Sequence, residues 1–398
     1  LTPVPHDFSF RRLIASSISV KMLADIANQI FNPFLPIFAA GMGLDVVTLG
    51  RLVGLRSAMG IFAPVAGDLA DRQGYRRVMQ VALALGAMGN LLLALSGAVG
   101  VTAAGLVLLG LGMGAFVPTL QAYVSYKLPA NQRARGMGMV EYSWALTGIF
   151  GLFFIGLLIQ ATSWRAPFFL LAAGMGVAAL FVGAWPPVRG SAVVAQEQTH
   201  SRRDGQGWLS FFDLGANSRS IYACIAFGAL TYFAAMQIMI SHGAWLEREY
   251  GLSPAQLGTV ALVFGFFDLA ASVSVSLFTD RIGARRAVIG GAISALLAYL
   301  ALPLLNLNLW LVVVGLGIAR SCFEFTIVSY FPLLSEQSPD QRGKVMTISS
   351  AAALIGATIA GFTGPWMVVY VGVTPLVLTS AAVMVVALGF LLGFVRPR

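Results

Sequence analysis

The sequence predicts an all-α integral membrane protein. Twelve transmembrane helices are expected, arranged as two pseudo-symmetric six-helix bundles with both termini cytoplasmic. Three observations predict this. Hydrophobic residues make up 58% of the chain and charged residues only 10%, whereas soluble domains carry about 25% charged residues. Apolar runs of roughly 20 residues, enough to cross a ~30 Å hydrocarbon core, occur twelve times. Finally, the charged stretch Gly67-Asp68-Leu69-Ala70-Asp71-Arg72-Gln73-Gly74-Tyr75-Arg76-Arg77 returns as Asp280-Arg281-Ile282-Gly283-Ala284-Arg285-Arg286. Asp71, Arg72, Gly74, Arg76 and Arg77 all recur at one offset, 280 − 71 = 209, close to half of the 398 residues.

The first half is expected to span at 13–39, 47–69, 77–97, 101–126, 136–160 and 166–185. The second is expected at 219–244, 256–278, 286–305, 309–333, 343–368 and 372–394. All are helical because lipid cannot satisfy open backbone. The first span follows Arg11 and Arg12 and carries a polar stripe. The second follows Gly43-Leu44 and ends in the charged stretch, which separates it from the third. The fourth holds Gly110, Gly112 and Gly114; the fifth follows Pro129 and Arg135-Gly136; the sixth follows Ser163-Trp164-Arg165. In the second half Gly251-Leu252 precedes the eighth span, the repeated motif separates the eighth from the ninth, and Pro339 and Arg342-Gly343 precede the eleventh. Ala145-Leu146-Thr147-Gly148 and Ala353-Leu354-Ile355-Gly356 match at an offset of 208. The expected division is therefore 1–185, a cytoplasmic linker over 186–218, and 219–398. Within the linker, Trp208 to Leu214 fits a short interfacial helix or a plain tether.

Charge placement sets the orientation. With the N-terminus inside, 19 of the 25 Lys and Arg residues fall on the cytoplasmic side, whereas Arg165 and Arg248 fall in outside loops. That is the positive-inside pattern. The net charge of +9 is thus a topology signal, with anionic lipid headgroups rather than nucleic acid as its partner. Cys224 and Cys322 lie in apolar runs and have no metal-ligand spacing. His6, His200 and His242 are scattered, so no metal site is expected. No cofactor is expected, and no phosphate-cradling loop or Ser/His/Asp set points to an enzyme. The sequence opens on Leu1 rather than Met, so a trimmed start is expected. Its polar first residues do not read as a signal peptide.

Two parallel six-helix repeats with both termini inside indicate a secondary transporter. Pro64, Gly67 and Asp71-Arg72-Gln73-Gly74-Tyr75-Arg76-Arg77 resemble the signature between helices two and three of the major facilitator superfamily. Ser163-Trp164-Arg165-Ala166-Pro167-Phe168 resembles the family as well, closest in character to its efflux branch. The resemblance implies alternating access to a cavity lined by helices one, four, seven and ten. Two departures weaken assignment as a drug–proton antiporter. The helix-four arginine usual in such exporters is replaced by Leu108. Their helix-five Gly-Pro is Gly148-Ile149 here, the only comparable pair being Gly364-Pro365.

Ionisable groups inside spans are costly, by about 2.5–3.5 kcal/mol each on insertion scales. In helix one, Lys21, Asp25, Asn28, Gln29, Asn32 and Pro36 fall on one face. In helix ten, Arg320 and Glu324 are four apart and share a face. Asp25 and Glu324 are the expected proton-coupling carboxylates. Lys21, Asn28, Gln29, Asn32, Gln121, Tyr232, Gln237 and Arg320 are the expected cavity residues. Static intrahelical pairs, Lys21 with Asp25 and Arg320 with Glu324, are the plainer reading of the same spacing. Arg56 and Asp268 lie outside the expected cavity set; Arg56 could reach the helix-one stripe, though structural pairing is the plainer expectation. Glu141 is expected to brace the cytoplasmic gate against Arg72, Arg76 or Arg133. Gly67, Asp71, Arg72, Gly74, Arg76, Arg77, Asp280, Arg281 and Arg285 are the expected gating motif. Gly67 would permit close helix approach, and Asp71 would meet a helix N-terminus of the other half.

The expected function is proton-coupled export of a small, amphiphilic organic solute by a monomer in the cell membrane. A symporter importing an anionic solute, with Lys21 and Arg320 as clamps, stays open at this level. So do a lipid flippase and a membrane sensor.

Overall fold

The computed structural model describes residues 10–187, 214, 217–338 and 341–395. Among these every regular element is helical. The spans are α1, built from Phe10–Gln29 and Phe31–Met42; α2, Val46–Gln73; α3, Tyr75–Ala94; α4, Val99–Lys127; and α5, built from Ala130–Leu146, Thr147–Leu152 and Phe153–Ala161. They continue as α6, Ala166–Gly183; α7, Ser218–Tyr250; α8, Pro254–Ile282; α9, Ala284–Leu305; α10, Leu309–Gln337; α11, Arg342–Tyr370; and α12, Val373–Phe394. Most of the linker expected at 186–218, including 208–213, lies outside the described residues.

Eleven of the described helices are long and apolar enough to cross a membrane, and α1 is the twelfth span. It differs because its first helix carries Arg11, Arg12, Lys21 and Asp25, and its second has only 12 residues. The break at Ile30 has a local cause. Pro33 offers no N–H to the Gln29 carbonyl, and its ring crowds that carbonyl. Pro36 likewise frees the carbonyl of Asn32, and Gly243 of α7 packs against the carbonyls of Asn32 and Pro33. A second irregularity is the π-helical turn Thr147–Leu152 in α5, where Gly148 backs onto Ala261 and Gly265 of α8. The α7 helix runs six residues past its expected end at 244. Trp245 Nε1 donates to Glu249 one turn on (3.1 Å), so the charged end stays helical until Gly251 stops it at φ 64°.

Each half packs around its own core. In the first, α3 lies between α4 and α6. Phe38 of α1 meets Phe168 of α6 with ring centroids 4.7 Å apart. In the second, α7 packs on α11 and α12, and α9 on α10 and α12. In lipid such contacts stabilise through van der Waals packing and close backbone approach, because hydrocarbon chains are as apolar as the side chains.

The halves touch through α2 with α11, α5 with α8, and the second part of α1 with α7. Glycine makes the first contact possible: a Cβ added at Gly361 would stand 2.6 Å from the Cα of Gly54. Toward the arginine-rich end, α2 and α11 separate, and Ile61, Phe62 and Val65 are exposed. The molecule is closed at one end and open at the other. Six spans in each half place Phe10 and Phe394 at the same, open end.

Candidate functional site

A cavity of about 710 Å³ fills the space between the separated helices, within the 300–1,000 Å³ typical of small-molecule sites. The first half contributes Lys21, Asp25, Asn28, Gln29 and Asn32 from α1, and Glu141 and Trp144 from α5. Arg56, Ser57 and Ile61 come from α2, and Met113, Val117 and Pro118 from α4. The second half contributes Tyr232, Met236 and Met239 from α7, with Met346, Ser350 and Leu354 from α11. One wall is therefore charged and the opposite wall is rich in methionine, a flexible, polarisable lining. The lining differs from the expected set of helices one, four, seven and ten, since α2, α5 and α11 contribute and α10 does not.

The charged wall centres on Lys21. Its ammonium lies 3.0 Å from Asp25 Oδ2 and 3.2 Å from Glu141 Oε2. It also donates to Ser143 Oγ (3.0 Å), and the Ser143 hydroxyl donates to Asp25 Oδ2. Helical spacing brings Lys21 and Asp25 onto one face, whereas packing of α5 brings Glu141 and Ser143. Asp25 is buried; the side chain of Glu141 is 50% exposed and accepts from Gln121 Nε2 at 2.8 Å. Glu141 thus pairs with Lys21 and Gln121 inside the cavity, not with the gate arginines. Two carboxylates share one ammonium. Gln29 donates to the Trp144 carbonyl (3.5 Å) and ties α1 to α5 beside this cluster.

Arg56 is the second charge in the wall. Its Nη1 donates to the carbonyls of Ala27 (3.2 Å) and Asn28 (2.9 Å), just before the break in α1. The Phe31 ring stands 5.5 Å from its guanidinium carbon. None of the ion pairs among the described residues includes Arg56; its reach to the helix-one stripe, the other expectation for it, is made through these two carbonyls. Its spacing gave no cavity signal, because it shares its helix with no second polar stripe.

The helix-ten pair is rearranged. Arg320 bonds Asp268 of α8 at two points, Nη2 to Oδ2 at 2.6 Å and Nε to Oδ1 at 3.2 Å. The planar guanidinium favours this two-point geometry. The expected Arg320–Glu324 pair is not formed. Arg320, Asp268 and His242 line a small adjoining pocket that also touches Gln29 and Asn32. His242 Nδ1–H donates to the Met239 carbonyl (2.7 Å). Glu324 lies within electrostatic reach of Tyr232, whose ring meets Phe323 edge-on. Gln237 turns away from the cavity, donating to Thr363 Oγ1 (3.0 Å) and accepting from Ser380 (3.2 Å).

In the gating motif, Gly74 has φ 94° and Gly283 has φ 89°, a conformation that favours glycine. Asp71 accepts from the Tyr75 hydroxyl (2.7 Å), and among the described residues it makes no bond to the expected helix of the other half. Arg72 pairs with Asp68 at the surface (3.1 Å). Arg76 Nη1 donates to the Trp185 carbonyl (3.2 Å) at the end of α6. Gly67 meets open space, so it does not serve the expected close helix approach in this conformation. Arg77 is on the same turn as Arg76; Arg281 is exposed and Arg285 half-buried. The side chain of Asp280 lies outside the described residues.

Similarity to known proteins is consistent across the chain. The profile of the Major Facilitator Superfamily matches residues 18–245 and 220–398. The uncharacterized MFS-type transporter YwfA of Bacillus subtilis is 26% identical over 96% of this chain and 92% of its own length. The multidrug resistance protein Stp of Mycobacterium tuberculosis is 25% identical over 87% of this chain and 73% of its own. Among solved structures, a D-xylose-proton symporter superposes with a TM-score of 0.79 at 15% identity, covering 98% of both chains.

Proposed function

We propose that this chain, which belongs to the Major Facilitator Superfamily, is a proton-coupled secondary transporter exporting a small amphiphilic organic solute by alternating access. The observation that carries this reading is the Lys21 ammonium shared by Asp25 and Glu141. With both carboxylates charged, the cluster has one negative charge in excess. Buried charge without compensation is costly. Either a proton or a donor group on the cargo can supply that compensation, and the two then compete. Competition of this kind is antiport: cargo entering from the open end displaces the proton, and a proton arriving from the other side displaces the cargo.

The methionine-rich wall suits an apolar cargo body. Similarity to a multidrug resistance protein supports export. Import of an anion clamped by Lys21 and Arg320 fits less well, because both cations are already matched by carboxylates. In this reading residues 1–185 and 219–398 rock about the cavity, with 186–218 as the tether. The stretch 67–77 and its second copy act as the gate at the open end. Asp25 takes the proton, and Glu324 provides a second protonation site in the other half.

Proteoliposome flux under an imposed pH gradient tests the proposal. Cargo moving against the proton flow supports it, and cargo moving with the protons overturns the export direction.

A further inference from the structure

Arg56 is a buried cation for which the described residues supply anchoring but no counter-charge. It is only 9% exposed, yet it lines the cavity. Of the five N–H donors of a guanidinium, the two on Nη1 are committed to the carbonyls of Ala27 and Asn28. The remaining three have no protein partner among the described residues. The head group is held in place from two further sides. Phe31 covers one face at 5.5 Å, and Gly110 of α4 packs directly against the Arg56 backbone and stem. A fixed planar fork with open donors is the geometry that recognises a carboxylate or similar anion at two points.

Its neighbours do not offer that anion. Asp25, one helical turn before Asn28, is turned to Lys21 and Ser143. Glu141 is turned to Lys21 and Gln121. Asp268 is taken by Arg320. With Asp25 and Glu141 both ionised, the wall therefore carries two charges of opposite sign that are not matched to each other: the excess negative charge of that cluster and the positive charge of Arg56.

We propose that Arg56 is the anion subsite of this cavity and that the cargo is amphoteric. Its carboxylate-class group binds the Arg56 guanidinium, and its amine-class group faces Asp25 and Glu141. The apolar body lies against Met236 and Met239. This inference rests on the cavity being the transport site, as argued above, and names the class of cargo.

Isothermal titration of the purified full chain in detergent tests it with three probes: benzoate, benzylamine and 4-(aminomethyl)benzoate. The probe with both groups is expected to bind the wild type tightest. Arg56→Gln should weaken benzoate and 4-(aminomethyl)benzoate by roughly 10-fold or more, since a charge-assisted hydrogen bond contributes about 1.5–3 kcal/mol. Benzylamine affinity should stay unchanged. Equal binding of benzylamine and 4-(aminomethyl)benzoate to the wild type overturns the proposal, as does unchanged benzoate affinity in Arg56→Gln. Should that variant not fold, phenylglyoxal modification of Arg56 in the wild type, read by peptide mass, decides instead. Benzoate should protect Arg56, and absence of protection overturns the subsite. Binding is measured without a gradient. Intact Arg56-dependent binding with failed proton-driven flux would therefore count against the transport mechanism and leave the anion subsite standing.

Discussion

Arg320 of α10 and Asp268 of α8 form a two-point ion pair, with Nη2 2.6 Å from Oδ2 and Nε 3.2 Å from Oδ1. Both side chains are buried. The pair locks two helices of the second half together beside the α1 break, and among the described residues Glu324 is in no ion pair.

Asp268→Asn would strand the Arg320 charge. Breaking one side of a buried pair costs about 3–5 kcal/mol, so a large drop in thermal unfolding temperature is expected in detergent. Arg320→Gln added to Asp268→Asn should recover part of the loss. A single substitution as stable as the wild type would show that water reaches this pair.

Asp25→Asn should abolish proton-driven accumulation and weaken binding of an amine-bearing cargo without abolishing it, since Glu141 still faces the cavity. Glu141→Gln, at a half-exposed position, should weaken coupling less. Counterflow without a gradient separates the two effects. Full proton-driven transport by both variants would remove the Lys21 cluster from the coupling mechanism.

Gly361→Ala should loosen the closed end. The added Cβ would stand 2.6 Å from the Cα of Gly54 and 2.8 Å from its N, so one backbone must move. Ser241, buried on α7 near Gly364, reports the change. In a background lacking Cys224 and Cys322, Ser241→Cys should be labelled faster from the closed side once Gly361→Ala is present. Unchanged labelling would mean that α2 and α11 adjust without opening.

Asp71→Asn should favour the conformation described here. At the open end Asp71 accepts from Tyr75, and among the described residues it makes no bond to the other half. If Asp71 meets a helix N-terminus in the opposite conformation, removing its charge weakens only that conformation. A cysteine at Ser350 in the cavity should then be labelled faster from the cytoplasmic side. An unaltered rate would leave Asp71 a local brace for Tyr75.

Asp45 caps the start of α2, accepting from the Thr48 N–H (2.8 Å) and the Thr48 hydroxyl (2.6 Å). These bonds to Thr48 hold its carboxylate below its ordinary value. A lowered folded value means that the cap stabilises fully above the unfolded value of about 3.9 and is lost as pH falls through the folded one. Asp45→Ala should cost about 1 kcal/mol near neutral pH, and the difference from wild type should shrink in acid. Stability against pH measured on both proteins checks the sign.

Part of the site is legible in the sequence. Lys21 and Asp25 share a face because they are four residues apart, and α1 does carry the polar wall of the cavity. The same spacing misled at Arg320 and Glu324. An arginine on a helix can reach one turn along its own helix or across to a neighbour. Asp268 of α8 stands where both ends of the guanidinium fork reach it. Gln237 has the composition of a cavity residue but faces Thr363 and Ser380. Glu141 reads from the sequence as a gate brace and Ser143 gives no signal, because both reach Lys21 from a helix more than a hundred positions away.

The sequence by itself determined the spans, the repeat, the orientation and the family. These depend on hydropathy, charge placement and local spacing, each of which acts within one helix or its flanks. Only the tertiary structure decided which charges meet and which stay unmatched. Helical periodicity assigns a residue to a face, but the rotation and depth of the neighbouring helix choose its partner. That choice shares Lys21 between two carboxylates, commits Arg320 to Asp268, and leaves Arg56 in the cavity wall with no anion among the described residues.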